Sequence, residues 1–187
     1  MAEICTVEPT LEPVSLADMK LHLKLDGNEE DSYIESLTTA ARRLSERSTG
    51  RAYNTQTWQY SFQIRDYSKT VTLPKRKFIS VSTLEYYDEV TYAWVAMTTD
   101  QYKVITFGES GELLLLEYPG SLYRCTYQAG YGATAVLVPA DLRAAIMRRV
   151  ATMYENRQDV IVGTIFAKMD KDQSVESLEA PYRVTVI

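Results

Sequence analysis

Thr55-Gln56-Thr57-Trp58-Gln59-Tyr60-Ser61-Phe62-Gln63-Ile64 marks a change of period on which the reading of the whole chain turns. Trp58, Tyr60, Phe62 and Ile64 alternate with Gln59, Ser61 and Gln63, so an extended backbone puts the apolar side chains on one face and the polar ones on the other. A helix would scatter the same residues around its axis.

On the C-terminal side, strand-like runs continue at Val71 to Leu73, Phe78 to Tyr87, Tyr92 to Met97, Tyr102 to Phe107, Glu112 to Glu117 and Leu122 to Gln128. Polar or glycine-containing breaks separate them, and Gly108-Glu109-Ser110-Gly111 and Pro119-Gly120 read as hairpin turns. This block predicts an antiparallel β unit, a small sandwich or barrel.

On the N-terminal side the spacing is helical. Ser15 with Asp18 three residues on forms a capping pattern, and Leu16, Met19 and Leu23 then share one face. Asn28-Glu29-Glu30-Asp31 opens a longer helix, its negative charge facing the positive end of the helix dipole. Tyr33, Ile34, Leu37, Ala40, Ala41 and Leu44 recur as a buried stripe, and Gly50 ends the helix. Helical spacing returns after Pro139, where Leu142, Ala145, Ile146, Val150, Met153 and Tyr154 make a second stripe and Arg143, Arg148 and Arg157 lie off it. A short helical turn from Ser174 to about Glu179 precedes an extended tail. Helices, strands, helices predict an α+β fold: a helical base, residues 1–54 and 134–187, carrying an inserted β subdomain, residues 55–133.

The 187 residues suffice for one generous domain, and 45% apolar with 24% charged residues is ordinary globular composition. The formal net charge of −5 has the wrong sign for a surface that neutralises phosphates, which argues against sequence-specific DNA binding. Cys5 and Cys125 lack metal-ligand spacing, the N-terminus lacks signal-peptide character, and no apolar run approaches the roughly 20 residues that cross a bilayer. A reducing compartment with free thiols is expected. The 14 tyrosines suit either wide protein contacts or strand faces.

Chemistry-bearing groups are sparse. His22, the one histidine, sits between Leu21 and Leu23 and reads as a surface residue. The carboxylates Glu29, Glu30 and Asp31 are accounted for by a helix start. Gly130 and Gly132 lack the third glycine or the lysine of a phosphate loop and read as a strand-ending turn. Arg148-Arg149 reads as an exposed helix face rather than a nucleic-acid contact. No catalytic set, cofactor site or metal site is predicted, and the chain is expected not to be an enzyme.

Two segments carry a family resemblance. The first runs Pro13-Val14-Ser15-Leu16-Ala17-Asp18-Met19-Lys20, through Leu23 and the acidic turn Asp26 to Asp31, to Ala40-Ala41-Arg42, Thr49-Gly50-Arg51 and Gln56-Thr57-Trp58. The second runs Tyr127-Gln128-Ala129-Gly130-Tyr131-Gly132, then Val138-Pro139, Leu142-Arg143-Ala144-Ala145-Ile146 and Tyr154-Glu155-Asn156-Arg157. In this order they resemble the head-tail connector, or adaptor, proteins of long-tailed bacteriophages, prophages and gene-transfer particles, in particular the larger members with a β insertion.

The resemblance implies a structural protein of the virion neck, assembled in the host cytoplasm. It would form a twelvefold homo-oligomeric ring docked on the portal protein, joined below by a stopper or tail-completion protein, with double-stranded DNA passing through without being specifically held. The helices would form the ring body and the β unit would project outward. The apolar C-terminal segment Pro181, Tyr182, Arg183, Val184, Thr185, Val186 and Ile187 is expected to bind the portal, the alternative being a strand that completes the subunit's own fold. The apolar run with Val160, Ile161, Val162, Ile165 and Phe166 is expected to meet the neighbouring subunit. Two other readings compete: a β-rich carbohydrate- or host-binding module with Trp58 and Trp94 as stacking platforms, and a tail-completion or stopper protein.

Overall fold

The alternation around Trp58 is a strand, and it pairs on both sides. A computed structural model describes residues 2–64, 69–157 and 171–184. Their elements run β1 (Ala2–Val7), α1 (Leu16–Leu23), α2 (Asp31–Thr49), β2 (Gln56–Gln63), β3 (Thr70–Thr72), β4 (Phe78–Asp88), β5 (Ala93–Ala96), β6 (Tyr102–Phe107), β7 (Ser110–Leu115), β8 (Leu122–Ala129), α3 (Ala140–Glu155) and α4 (Lys171–Glu179). The α+β class holds. The chain divides into two compact units, Met1–Thr10 with Arg51–Tyr131 and Leu11–Gly50 with Gly132–Ile187.

In the first unit a five-stranded sheet has the order β1-β2-β8-β4-β5 and a three-stranded sheet the order β3-β7-β6. Every pairing between these strands is antiparallel; the isolated bridge between Arg51 and Arg76 is parallel. The barrel alternative falls, because each sheet ends in edge strands instead of closing on itself. One apolar cluster joins them: Tyr60, Phe62, Leu84, Tyr123, Cys125 and Tyr127 from the larger sheet meet Leu73, Leu113 and Leu115 from the smaller one and its flank. Gly108-Glu109 is the expected tight turn, with Phe107 opposite Ser110 across it. Pro119-Gly120 is not a hairpin, since β7 and β8 lie in different sheets and the turn carries the chain between them.

Part of the tyrosine excess belongs to this core. The Phe62 ring stacks on Tyr60 at 5.4 Å and on Tyr123 at 5.5 Å between centroids. Buried phenols need partners. The Tyr123 hydroxyl donates to the Gly120 carbonyl at 2.7 Å, while the Tyr127 hydroxyl accepts from the Lys75 amide and donates to Glu3. Glu3 lies on β1, an edge strand that the sequence reading did not assign; its half-buried positions are Glu3 and Cys5 while Ile4 is exposed, so hydropathy does not follow its alternation.

In the second unit the expected signals act where they should. The Ser15 side chain accepts from the Asp18 amide at 3.1 Å, and Gly50 closes α2 in the left-handed conformation at φ 70°. Pro139 occupies the position just before α3, one residue earlier than a first-turn proline. The core comprises Val14, Met19, Ile34, Ala41, Val138, Leu142, Ala145, Ile146, Val150 and Val175. The stripe expected on α2 is displaced: Ala40 and Leu44 are exposed, and the buried side runs Ile34, Thr38, Ala41, Arg42, Ser45, Glu46 and Thr49.

Candidate functional site

A polar buried side on α2 is costly unless each group is paired. Arg42 is 1% exposed and places its Nε 2.8 Å from Glu12 and its Nη1 2.8 Å from Glu46 one turn on. Arg149 reaches across from α3, its Nε to the Ser45 hydroxyl at 3.1 Å and its guanidinium to both oxygens of the buried Glu179 carboxylate. The bidentate pair ties α4 to α3. Sequence reasoning missed Arg149, which looks like the exposed neighbour of Arg148; only Glu179, thirty residues on, reveals its role.

The C-terminal segment follows from that anchor. Ala180–Tyr182 form a single tight turn, and Arg183 and Val184 then run extended. The Tyr182 hydroxyl donates to Asp141 at 3.2 Å, Arg183 stands 3.5 Å from Glu176, and the Val184 amide donates to the Thr49 carbonyl at 3.0 Å. The Val184 side chain lies over Gly50, where an added Cβ would stand 3.2 Å from it. Pro181, Tyr182, Arg183 and Val184 therefore follow the helical unit of their own chain, and Val184 bonds to a helix end instead of a strand. Thr185, Val186 and Ile187 lie outside the described residues, as do Val160, Ile161, Val162, Ile165 and Phe166.

Arg157, at the end of the preceding described stretch, belongs to a second cluster. Its guanidinium lies 4.7 Å from the Tyr154 ring centroid and 5.0 Å from that of Tyr33, and it pairs with Glu30. The Tyr154 hydroxyl also donates to Glu30. That hydrogen bond first, and the one from Arg157 next, hold the Glu30 carboxyl below the ordinary carboxylate range. Glu30 thus serves more than the helix dipole: it joins the start of α2 to the end of α3.

A cavity of about 360 Å³ opens on the same unit, lined by Pro13, Val14, Asp18, Leu21, His22, Arg143 and Met147. His22 is an exposed residue of its wall. Arg143, expected on the outer face of its helix, is half-buried, and its Nε is shielded from solvent without a hydrogen-bond partner.

The remaining candidates have structural explanations. Gly130 has φ 145°, and a Cβ there would stand 2.5 Å from the backbone of Asn54, so this glycine permits two chain segments to touch. A cation of the same chain lies over each tryptophan ring. Lys75 Nζ lies 4.5 Å from the Trp58 ring centroid, and Arg124 lies 4.3 Å from that of Trp94, whose edge meets Tyr87. Burial pushes the Cys125 thiol up to about 12, which makes it a poor nucleophile. Among the described residues no three His, Cys, Asp or Glu side chains gather to hold a metal ion. No helix there is long and apolar enough to cross a membrane.

A family model described as phage gp6-like head-tail connector protein matches residues 13–96. Among solved structures, a chain in the neck of an empty GTA particle computed with C6 symmetry superposes with a TM-score of 0.80 at 19% identity, covering 100% of this chain and 97% of the other. A chain in the virion of a native gene transfer agent (GTA) particle gives 0.78 at 20%, with coverages of 100% and 97%. A chain in the neck of a native GTA particle computed with C12 symmetry gives 0.72 at 22%, with coverages of 100% and 96%. No curated protein matches. The head-tail connector resemblance read from the sequence is thereby shown, and the α+β fold is that of these neck proteins.

Proposed function

We propose that the chain, bearing the connector family pattern over residues 13–96, is a structural subunit that assembles with its copies into a ring in the virion neck. The ring docks on the portal at one side, continues the DNA channel, and presents a platform to a stopper or tail-completion protein at the other. The observation that carries this reading is the whole-chain match to proteins of particle necks computed with sixfold and twelvefold symmetry. A chain matched over its full length is built to the same fold as those subunits.

The division of labour follows from the chemistry of the two units. The helical part, residues 1–54 with 134–187, forms the ring body. The segment Pro181 to Ile187 engages the portal, with Val184, Val186 and Ile187 as its apolar side chains. The apolar residues Val160, Ile161, Val162, Ile165 and Phe166 pack on the adjoining copy. A phosphate backbone slides past a chain of net charge −5 without being held. The glycan-binding reading has less behind it, since a cation of the same chain already lies over each tryptophan ring and the match to neck proteins spans the whole chain.

Electron microscopy of particles from a strain lacking the chain tests the role. Filled heads without attached tails are expected; complete, tailed virions would overturn it. Deleting residues 185–187 tests the portal contact separately, with attachment to isolated portals expected to be lost.

A further inference from the structure

We infer that the cavity beside α1 is a socket for the β4–β5 hairpin tip of the next copy in the ring, an inference that rests on the ring reading above. A closed ring with a rotation axis is held by contacts between unlike patches, so each copy must carry both halves of its own interface. The socket is one half. Pro13, Val14, Leu21 and Met147 give it apolar walls, Leu21 is 80% exposed, and Arg143 supplies a guanidinium whose Nε is shielded from water yet has no acceptor. A buried donor without an acceptor costs free energy that an arriving carboxylate or carbonyl would recover. Asp18 lines the same cavity, but its carboxylate accepts from the Ser15 hydroxyl at 2.7 Å and forms no ion pair with Arg143.

The tip is the other half. β4 and β5 are joined by Glu89 to Tyr92, where Val90 is 85% and Tyr92 79% exposed, the most exposed large apolar side chain of the β unit and its neighbour. Two hydrogen bonds brace the turn: Asp88 accepts from the Val90 amide at 2.9 Å and from the Thr91 hydroxyl at 2.7 Å. Beside Val90 stands the exposed carboxylate of Glu89, which accepts only from the Ser121 hydroxyl among the hydrogen bonds described, at 3.2 Å. An apolar knob flanked by a carboxylate complements an apolar hole flanked by an arginine in charge and in polarity. At about 360 Å³ the cavity is near the small end of ligand pockets, roughly 300–1,000 Å³, and suits a side chain or two better than a large organic ligand.

Cross-linking in assembled necks tests the inference. Leu21→Cys with Val90→Cys replaces two solvent-facing side chains, so folding is not at stake. A short thiol-reactive cross-linker should produce a ladder of covalent multimers, absent in the parent chain and in each single variant. A ring seen by electron microscopy without that ladder overturns the inference and leaves the ring reading standing; absence of any ring defeats both. Cross-linking of the Leu21→Cys variant to a different neck protein also overturns it, since another partner would then fill the socket. As a second measurement, Arg143→Glu and Glu89→Arg should each lower ring yield about tenfold or more, and the combined exchange should restore it. Failure of the exchange to restore yield, with both single variants folded, counts against the pairing.

Discussion

The two units bury their interiors by different means. In the β unit the inward faces are aromatic and aliphatic, and the polar side chains that go inside with the phenols, Asn54, Gln56, Lys75 and Ser110 among the described residues, carry a single charge between them. In the helical unit the inner side of α2 carries Arg42, Ser45, Glu46 and Thr49, and Glu179 is wholly buried. Apolar burial is forgiving about angle, because any close-packed arrangement recovers the area. Ion pairs in a dry interior tolerate few geometries, so the Arg149–Glu179 pair constrains how α3 and α4 meet.

The sharpest way to break the comparison is to delete one member of each interior. Arg42→Met strands the Glu46 carboxylate and is expected to cost about 3–5 kcal/mol, whereas Arg42→Met with Glu46→Leu should recover most of the loss. Phe62→Ala in the β unit should cost a similar ~3–5 kcal/mol through a cavity, with no compensating partner exchange available. Both tryptophans, Trp58 and Trp94, lie in the β unit, so their fluorescence follows that unit while helical circular dichroism follows the other. Urea titrations read by the two signals should assign each loss to its own unit.

An alkaline titration comes next in size. Burial holds the Cys125 thiol protonated up to about 12, against an ordinary value of 9.0. Between those values the unfolded chain has released the proton and the folded one has not, so stability of the β unit should fall as pH rises through that window and be untouched below it. Burial, and then the Glu3 carboxylate, also raise Tyr127, which acts in the same direction at higher pH. Melting followed by tryptophan fluorescence checks this, and Cys125→Ala should flatten the slope.

The smallest effect is local. Ser15→Ala removes the side-chain acceptor of the Asp18 amide at the start of α1 and should cost about 1 kcal/mol, seen as a small drop in urea midpoint of the helical signal alone. An equal shift in the tryptophan signal would show that the units do not unfold separately and would dissolve the contrast.

Local pattern was legible wherever one element decides its own conformation. The alternation from Trp58 to Ile64, the Ser15 cap, the Gly50 stop and the helical spacing after Pro139 each depend on backbone geometry within a few residues, and each appears in the structure. The connector resemblance was legible too, and its first segment falls inside the matched residues. What the sequence could not disclose is which groups become interior once distant segments meet. Thr38, Arg42, Ser45 and Glu46 have the composition of a solvated helix face, and only the approach of Glu12 and Arg149 makes them core. The edge strand β1, the separation of β7 from β8 into two sheets, and the shielded Arg143 are of the same kind. Periodicity belongs to the chain, because it is written by neighbours along the backbone. Burial of a charge is decided by neighbours in space, and those exist only after the fold has closed.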